Sequence, residues 1–139
     1  MTPYAKASNQ YLFQRVMGAS QVQLVALLLE GGQRFLFQAV QALDRKDYEA
    51  KARHTNRVLA IIEELTNRLD VENGGGLAQN LQGLHRWWSS EILEASRTKD
   101  AKRLEEVHRQ MGEIRQAWEQ LELQQQTAPA ALAVRDLVG

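Results

Sequence analysis

No proline interrupts the chain between Pro3 and Pro129, and within that interval apolar residues recur at threes and fours in four separate segments. Such a stretch is the pattern of helix, and it leaves little room for any other element. The first segment runs from about Gln21 to Leu43, with Leu24, Leu28, Phe35, Ala39 and Leu43 on its stripe and Val25, Phe37 and Val40 widening it. The second starts near Asp47, a cap candidate, and runs to about Leu69 through Ala52, Thr55, Val58, Leu59, Ile62 and Leu65. The third follows Gly74-Gly75-Gly76 and carries Leu77, Leu81, Leu84, Trp88, Ile92 and Ala95. The fourth starts near Asp100, and its Leu104, Val107, Met111, Ile114, Trp118 and Leu121 alternate steps of three and four, the seam of a bundle helix. Segments of about 20–25 residues span ~30–37 Å. The links around Asp44–Asp47, Asp70–Gly76 and Thr98–Asp100 are too short to return the chain to its starting end, so neighbours must run antiparallel. The expected fold is all-α: an antiparallel up-down-up-down four-helix bundle with a short N-terminal cap segment. Residues 1–19 form the cap or arm, 20–125 the bundle and 126–139 a partly flexible tail.

The first helix opens on a capping box, Ser20 with Gln23 three residues on. It then runs through its most apolar stretch, Leu24 to Leu29, into Gly31-Gly32. Glycine inside a helix costs about 1 kcal/mol relative to alanine. Two in succession point to a close backbone approach, either by a neighbouring helix of the same chain or by another chain lying in a groove.

The charge balance narrows the function. Among 139 residues, 17 basic side chains offset 17 acidic ones, which argues against a nucleic-acid binder, since such proteins carry a basic stripe. There is no cysteine, in keeping with a reducing compartment. The apolar run Leu24–Leu29 is far short of the ~20 residues of a membrane span, and the N-terminus lacks the basic-then-apolar pattern of a secretory signal. The expectation is a cytoplasmic protein with no membrane insertion.

Chemical sites are weakly signalled. A di-iron bundle needs two Glu-x-x-His pairs, and only Glu105 with His108 fits, since Lys51 and Gln82 precede His54 and His85 by three. Solvated surface charge is the plainer reading, so no metal or cofactor is expected. No nucleophile turn or phosphate loop occurs, and Gly74-Gly75-Gly76 reads as a reversal between helices. The expectation is a protein that is not an enzyme. Trp88 and Trp118 fit the core stripes, whereas Trp87 falls beside one. Asn56 and Asn80 sit beside apolar stripes, either as interhelical hydrogen-bond partners or as clamps on a bound backbone.

Taken together, the segments resemble the flagellar secretion chaperone FliS family over about Tyr11 to Leu121. The resemblance is carried by Tyr11 and Val16, the Ala19-Ser20 entry, Leu24-Val25 and Leu27-Leu28-Leu29-Glu30-Gly31. It continues through Ile61-Ile62-Glu63-Glu64-Leu65, Leu69-Asp70, Gly74-Gly75 and Ala78-Gln79-Asn80-Leu81 with Leu84, and closes on Glu94-Ala95, Asp100 and Ala117-Trp118. Two positions depart from it, Leu29 and His85, where the family usually has tyrosine. The resemblance implies a non-enzymatic cytoplasmic chaperone. It would bind the disordered C-terminal segment of flagellin, keep it from polymerising and deliver it to the export gate component FlhA. The expected client-binding residues are Tyr11, Val16, Leu24, Leu28, Gly31, Gly32, Phe35, Asn56, Leu59, Ile62 and Asn80, with wall and core not separable at this stage. The arm around Tyr11 and Val16 is expected to cover part of the client groove in the free protein, and residues 130–138 to mimic a client helix in cis. A helical adaptor or a homodimerising domain with a different partner remains the alternative.

Overall fold

The structure, a computed structural model, describes Gln10 and residues 12–127. Tyr11 and the tail segment 130–138 lie outside the described residues. Five helices follow in order: α1 at residues 12–17, α2 (Gln21–Asp44), α3 (Tyr48–Asn67), α4 (Gly75–Thr98) and α5 (Ala101–Thr127). Helix α2 packs on α3 and α5, and α4 packs on the same two. The result is an all-helical, bundle-like body.

The helix ends form where the side chains allow. Ser20 Oγ accepts from the Gln23 backbone N–H at 3.1 Å while Gln23 Oε1 accepts from the Ser20 N–H at 2.7 Å, so the expected capping box is present. Asp47 caps α3 through the Ala50 N–H at 3.1 Å, and Asp100 accepts from Arg103 N at 3.3 Å at the start of α5. Two helices end through lysines in the left-handed region, Lys46 (φ 60°) after α2 and Lys99 (φ 58°) after α4. The N–H groups of the following residues, Asp47 and Asp100, reach back to the Ala42 and Ala95 carbonyls at 2.8 Å. This closure ordinarily uses glycine.

The core is continuous through the four long helices. Leu36, Val58, Trp88, Ile92, Leu104, Val107 and Met111 are fully buried. The α5 seam is as the spacing predicts, with Ile114 and Leu121 packed at its margin. Trp88 is buried with its Nε1–H donating to Gln110 Oε1 at 2.9 Å, Trp118 is buried, and Trp87 is exposed.

Helix α2 departs from its expected stripe. Its buried line is Val22, Val25, Ala26, Leu29, Leu36, Ala39 and Val40; Leu24, Leu28, Phe35 and Leu43 flank it half-buried, and Phe37 is 56% exposed. The reason is physical. A helix apolar nearly all round does not declare a face by its own period, and α3 and α5 together select the one that is covered. Asn56 and Asn80 are both exposed, so neither is a buried amide fixing interhelical register.

Candidate client grooves flanking one helix

The expected binding residues that the structure describes divide between the two flanks of α3, with three exceptions. On the α2 side, residues 24, 28, 31 and 35 share a face by helical spacing. That face borders α3. A Cβ built on Gly31 would meet Ile61 Cδ1 at 3.4 Å, and the Phe35 ring stacks on His54 with centroids 6.4 Å apart. Gly32 lies deeper, where a Cβ would stand 3.2 Å from Met111 Sδ and 3.6 Å from Ile61 Cγ2. Both glycines are buried, and the close approach they permit is made by side chains of α3 and α5. The arginines Arg34 and Arg57 cover Phe35, their guanidinium carbons 5.7 and 5.4 Å from the ring centroid. His54 is held below its ordinary value, by burial first and then by the Arg57, Arg53 and Arg45 guanidiniums.

On the α4 side runs an open groove of about 620 Å³. Leu59 of α3 and Leu93 of α4 supply its apolar surface over Ile62, which is buried in the core beneath it, and Glu63 and Arg86 stand among its lining residues. Leu93 is 56% exposed. His85 lines the same groove and is buried, stacked on Trp88 at 5.5 Å. Its Nδ1 lies 3.1 Å from Thr66 Oγ1, and that hydroxyl donates to the Ile62 carbonyl at 2.9 Å. With the hydroxyl proton committed to Ile62, the ring supplies the proton of the Thr66 contact. This assigns the Nδ1–H tautomer and leaves Nε2 as an acceptor. Burial pushes the His85 imidazolium down to about 4, so the ring is neutral near pH 7.

Three expected residues stand elsewhere or at the margin. Asn56 is exposed on α3, two turns before Glu63 on the same edge. Asn80 projects from the side of α4 opposite Ser89, by helical spacing, and is not brought to the groove. Val16, 42% exposed, belongs to α1. That segment lies beside the α2–α5 junction, where Gln14, Arg15 and Gly18 line a cavity of about 410 Å³ with Gln23, Ala26, Leu27, Glu30, Glu119 and Glu122. An Arg15–Glu30 ion pair at 3.3 Å ties it to α2.

Two contributors escaped the sequence reading. Gly112 admits the Gln33 amide, which donates to the His108 carbonyl at 3.1 Å; a Cβ there would sit 2.7 Å from Gln33 Nε2. Thr66, which orients His85, could have been found only as a hydroxyl on the groove edge of α3. Among the described residues no group of three or more His, Asp or Glu is placed to hold a metal ion, and no helix is long and apolar enough to cross a membrane.

An all-helical, bundle-like body with an open groove between α3 and α4 defines the class by its fold. The profile of the family described as Flagellar protein FliS matches residues 4–126, and the chain belongs to that family. Among its relatives, the flagellar secretion chaperone FliSB of Pseudomonas aeruginosa is 32% identical over 118 residues, covering 82% of this chain and 94% of the relative. The flagellar secretion chaperone FliS of Salmonella typhimurium is 35% identical over 107 residues, covering 76% and 79%. That of Campylobacter jejuni is 30% identical over 115 residues, covering 83% and 90%.

Proposed function

We propose that this protein is a cytoplasmic export chaperone that binds the disordered C-terminal segment of flagellin, keeps it from polymerising and delivers it, through the gate component FlhA, to the flagellar export apparatus. Membership of the FliS family carries the reading, and the flanks of α3 support it physically. A segment that folds on binding wraps a large surface and so needs long, shallow, apolar-lined tracks with polar rims. Leu24, Leu28 and Phe35 offer one such track and Leu59 and Leu93, over the buried Ile62, another, with Asn56 on the edge of α3 that carries Glu63. Gly31 and Gly32 set how closely α2 approaches α3 and α5 beneath the first. The four long helices run up-down-up-down and antiparallel as residues 20–125, the chaperone body, with residues 1–19 as its cap and 126–139 as its tail.

The arm around Tyr11 and Val16 then covers part of the client's path in the free protein, on the α5 side of α2 beside which α1 lies, and not on either flank of α3. Deleting residues 1–15 raises affinity for the flagellin C-terminal peptide, or leaves it unchanged with faster association; a large loss would instead make Tyr11 and its neighbours direct contacts. The reading is tested by calorimetric titration of the full chain with that peptide, with light scattering for stoichiometry. Saturable binding of one peptide per chain is expected. A homodimer that ignores the peptide would replace this reading with the self-associating one.

A further inference from the structure

The α2 side of α3 carries positive charge that the chain itself leaves unanswered. Arg34 and Arg57 lie against the Phe35 ring at distances within the ~6 Å range of a cation–π contact. Both side chains are exposed. Nearby carboxylates are engaged elsewhere: Glu30 pairs with Arg15 at 3.3 Å, Glu49 stands 3.9 Å from Arg53, and Asp47 caps α3. Among the described residues no carboxylate pairs with Arg34 or Arg57. His54, stacked on the same ring, keeps a buried Nδ1 with no hydrogen-bond partner. Elsewhere among the described residues the arginines are mixed, with Arg45 and Arg86 likewise outside any ion pair. Arg97, Arg103 and Arg109 each hold a carboxylate of this chain.

We propose that Arg34 and Arg57 form a carboxylate anchor: an Asp or Glu side chain of the bound client pairs with the guanidiniums that lie over Phe35. The inference rests on the client-binding reading and deepens it by naming the chemistry one track selects. Guanidinium supplies the paired N–H donors that match a carboxylate. Their contact with the ring restricts both side chains before the client arrives, so less freedom is lost on binding. The anchor fixes register along a track whose apolar contacts alone would let a flexible segment slide.

The test is calorimetric titration of the full-length chain with a flagellin C-terminal peptide at low and at moderate salt. The Arg34→Gln/Arg57→Gln variant should bind about tenfold more weakly and lose most of the salt dependence. Arg34→Lys/Arg57→Lys, which keeps the charge, should recover most of that loss, and Arg97→Gln should bind as the parent does. Replacing the peptide's Asp and Glu residues by Asn and Gln should weaken binding to the parent but not to the Arg34→Gln/Arg57→Gln variant. Circular dichroism confirms that each variant is folded. If the parent binds the peptide and the double glutamine variant binds it equally, with the same salt response, the anchor is overturned and the chaperone reading stands. If the folded parent takes up no peptide, both fall together.

Discussion

The two flanks of α3 differ in how they are built, although both present apolar surface. The α4 flank is a groove laid over a packed foundation. Leu59 and Ile62 line it, His85 sits in it as a neutral buried ring, and Trp88 lies directly under that ring. The α2 flank is decorated with charge, the Phe35 ring there covered by two guanidiniums. The first therefore depends on burial, which salt barely affects, and the second on charges that salt screens within a Debye length of ~8–10 Å. On the proposed reading, the two flanks would hold a client by contacts of two different kinds.

The largest expected effect falls on the foundation of the α4 flank. Trp88→Ala should remove roughly 3–5 kcal/mol of stability, read as a shift of the denaturant midpoint; a loss below ~1 kcal/mol would mean that the groove does not stand on this side chain. Acid acts at the same place. Unfolded, His85 binds a proton at its ordinary 6.5; folded, it does so only at about 4. Stability is thus complete above 6.5 and is lost as pH falls from 6.5 towards 4, by about 3 kcal/mol at ~1.4 kcal/mol per pH unit. In His85→Phe that part of the acid sensitivity should vanish, which denaturant melts at pH 7 and pH 4.5 would reveal. On the α2 flank, Gly32→Leu should cost about 2 kcal/mol by crowding Met111, whereas Gly31→Leu, facing the Ile61 tip and the Arg34 guanidinium, should disturb stability less and client binding more. Equal thermal shifts in the two variants would erase the distinction. The smallest change tests the turn joining α2 and α3. Lys46→Gly relieves a left-handed lysine and should stabilise by ~1 kcal/mol in thermal melts without altering either flank.

How far the sequence disclosed this arrangement depends on the helix. In α5 the apolar residues are sparse among charged ones, so one stripe stands out, and Leu104, Val107, Met111 and Trp118 are buried as their spacing requires. The caps at Ser20, Asp47 and Asp100 were legible because capping is local chemistry, and the helix limits follow within a few residues. Helix α2 hid its face because Leu24 to Leu29 offer apolar side chains in every direction. Only the position of α3 and α5 decides that Leu29 goes inside while Leu28 stays at the edge. The site was less legible for a related reason. Leu59 and Ile62 sit near one another in sequence, but their partners His85 and Leu93 come from another helix, and no pattern along the chain joins Thr66 to His85. The Arg34–Phe35–Arg57 cluster likewise depends on two helices meeting at a particular height.

One side chain near the start of α2 has a role larger than its local contacts suggest. Gln23 closes the capping box with its Oε1 and, through Nε2, donates to Glu122 near the far end of α5. Loosening at either terminus therefore disturbs the other, because the same amide holds both. In hydrogen-exchange terms the opening turn of α2 and the closing turns of α5 should exchange as one cooperative unit, and detaching α1 nearby would be felt along the last helix as well as the first.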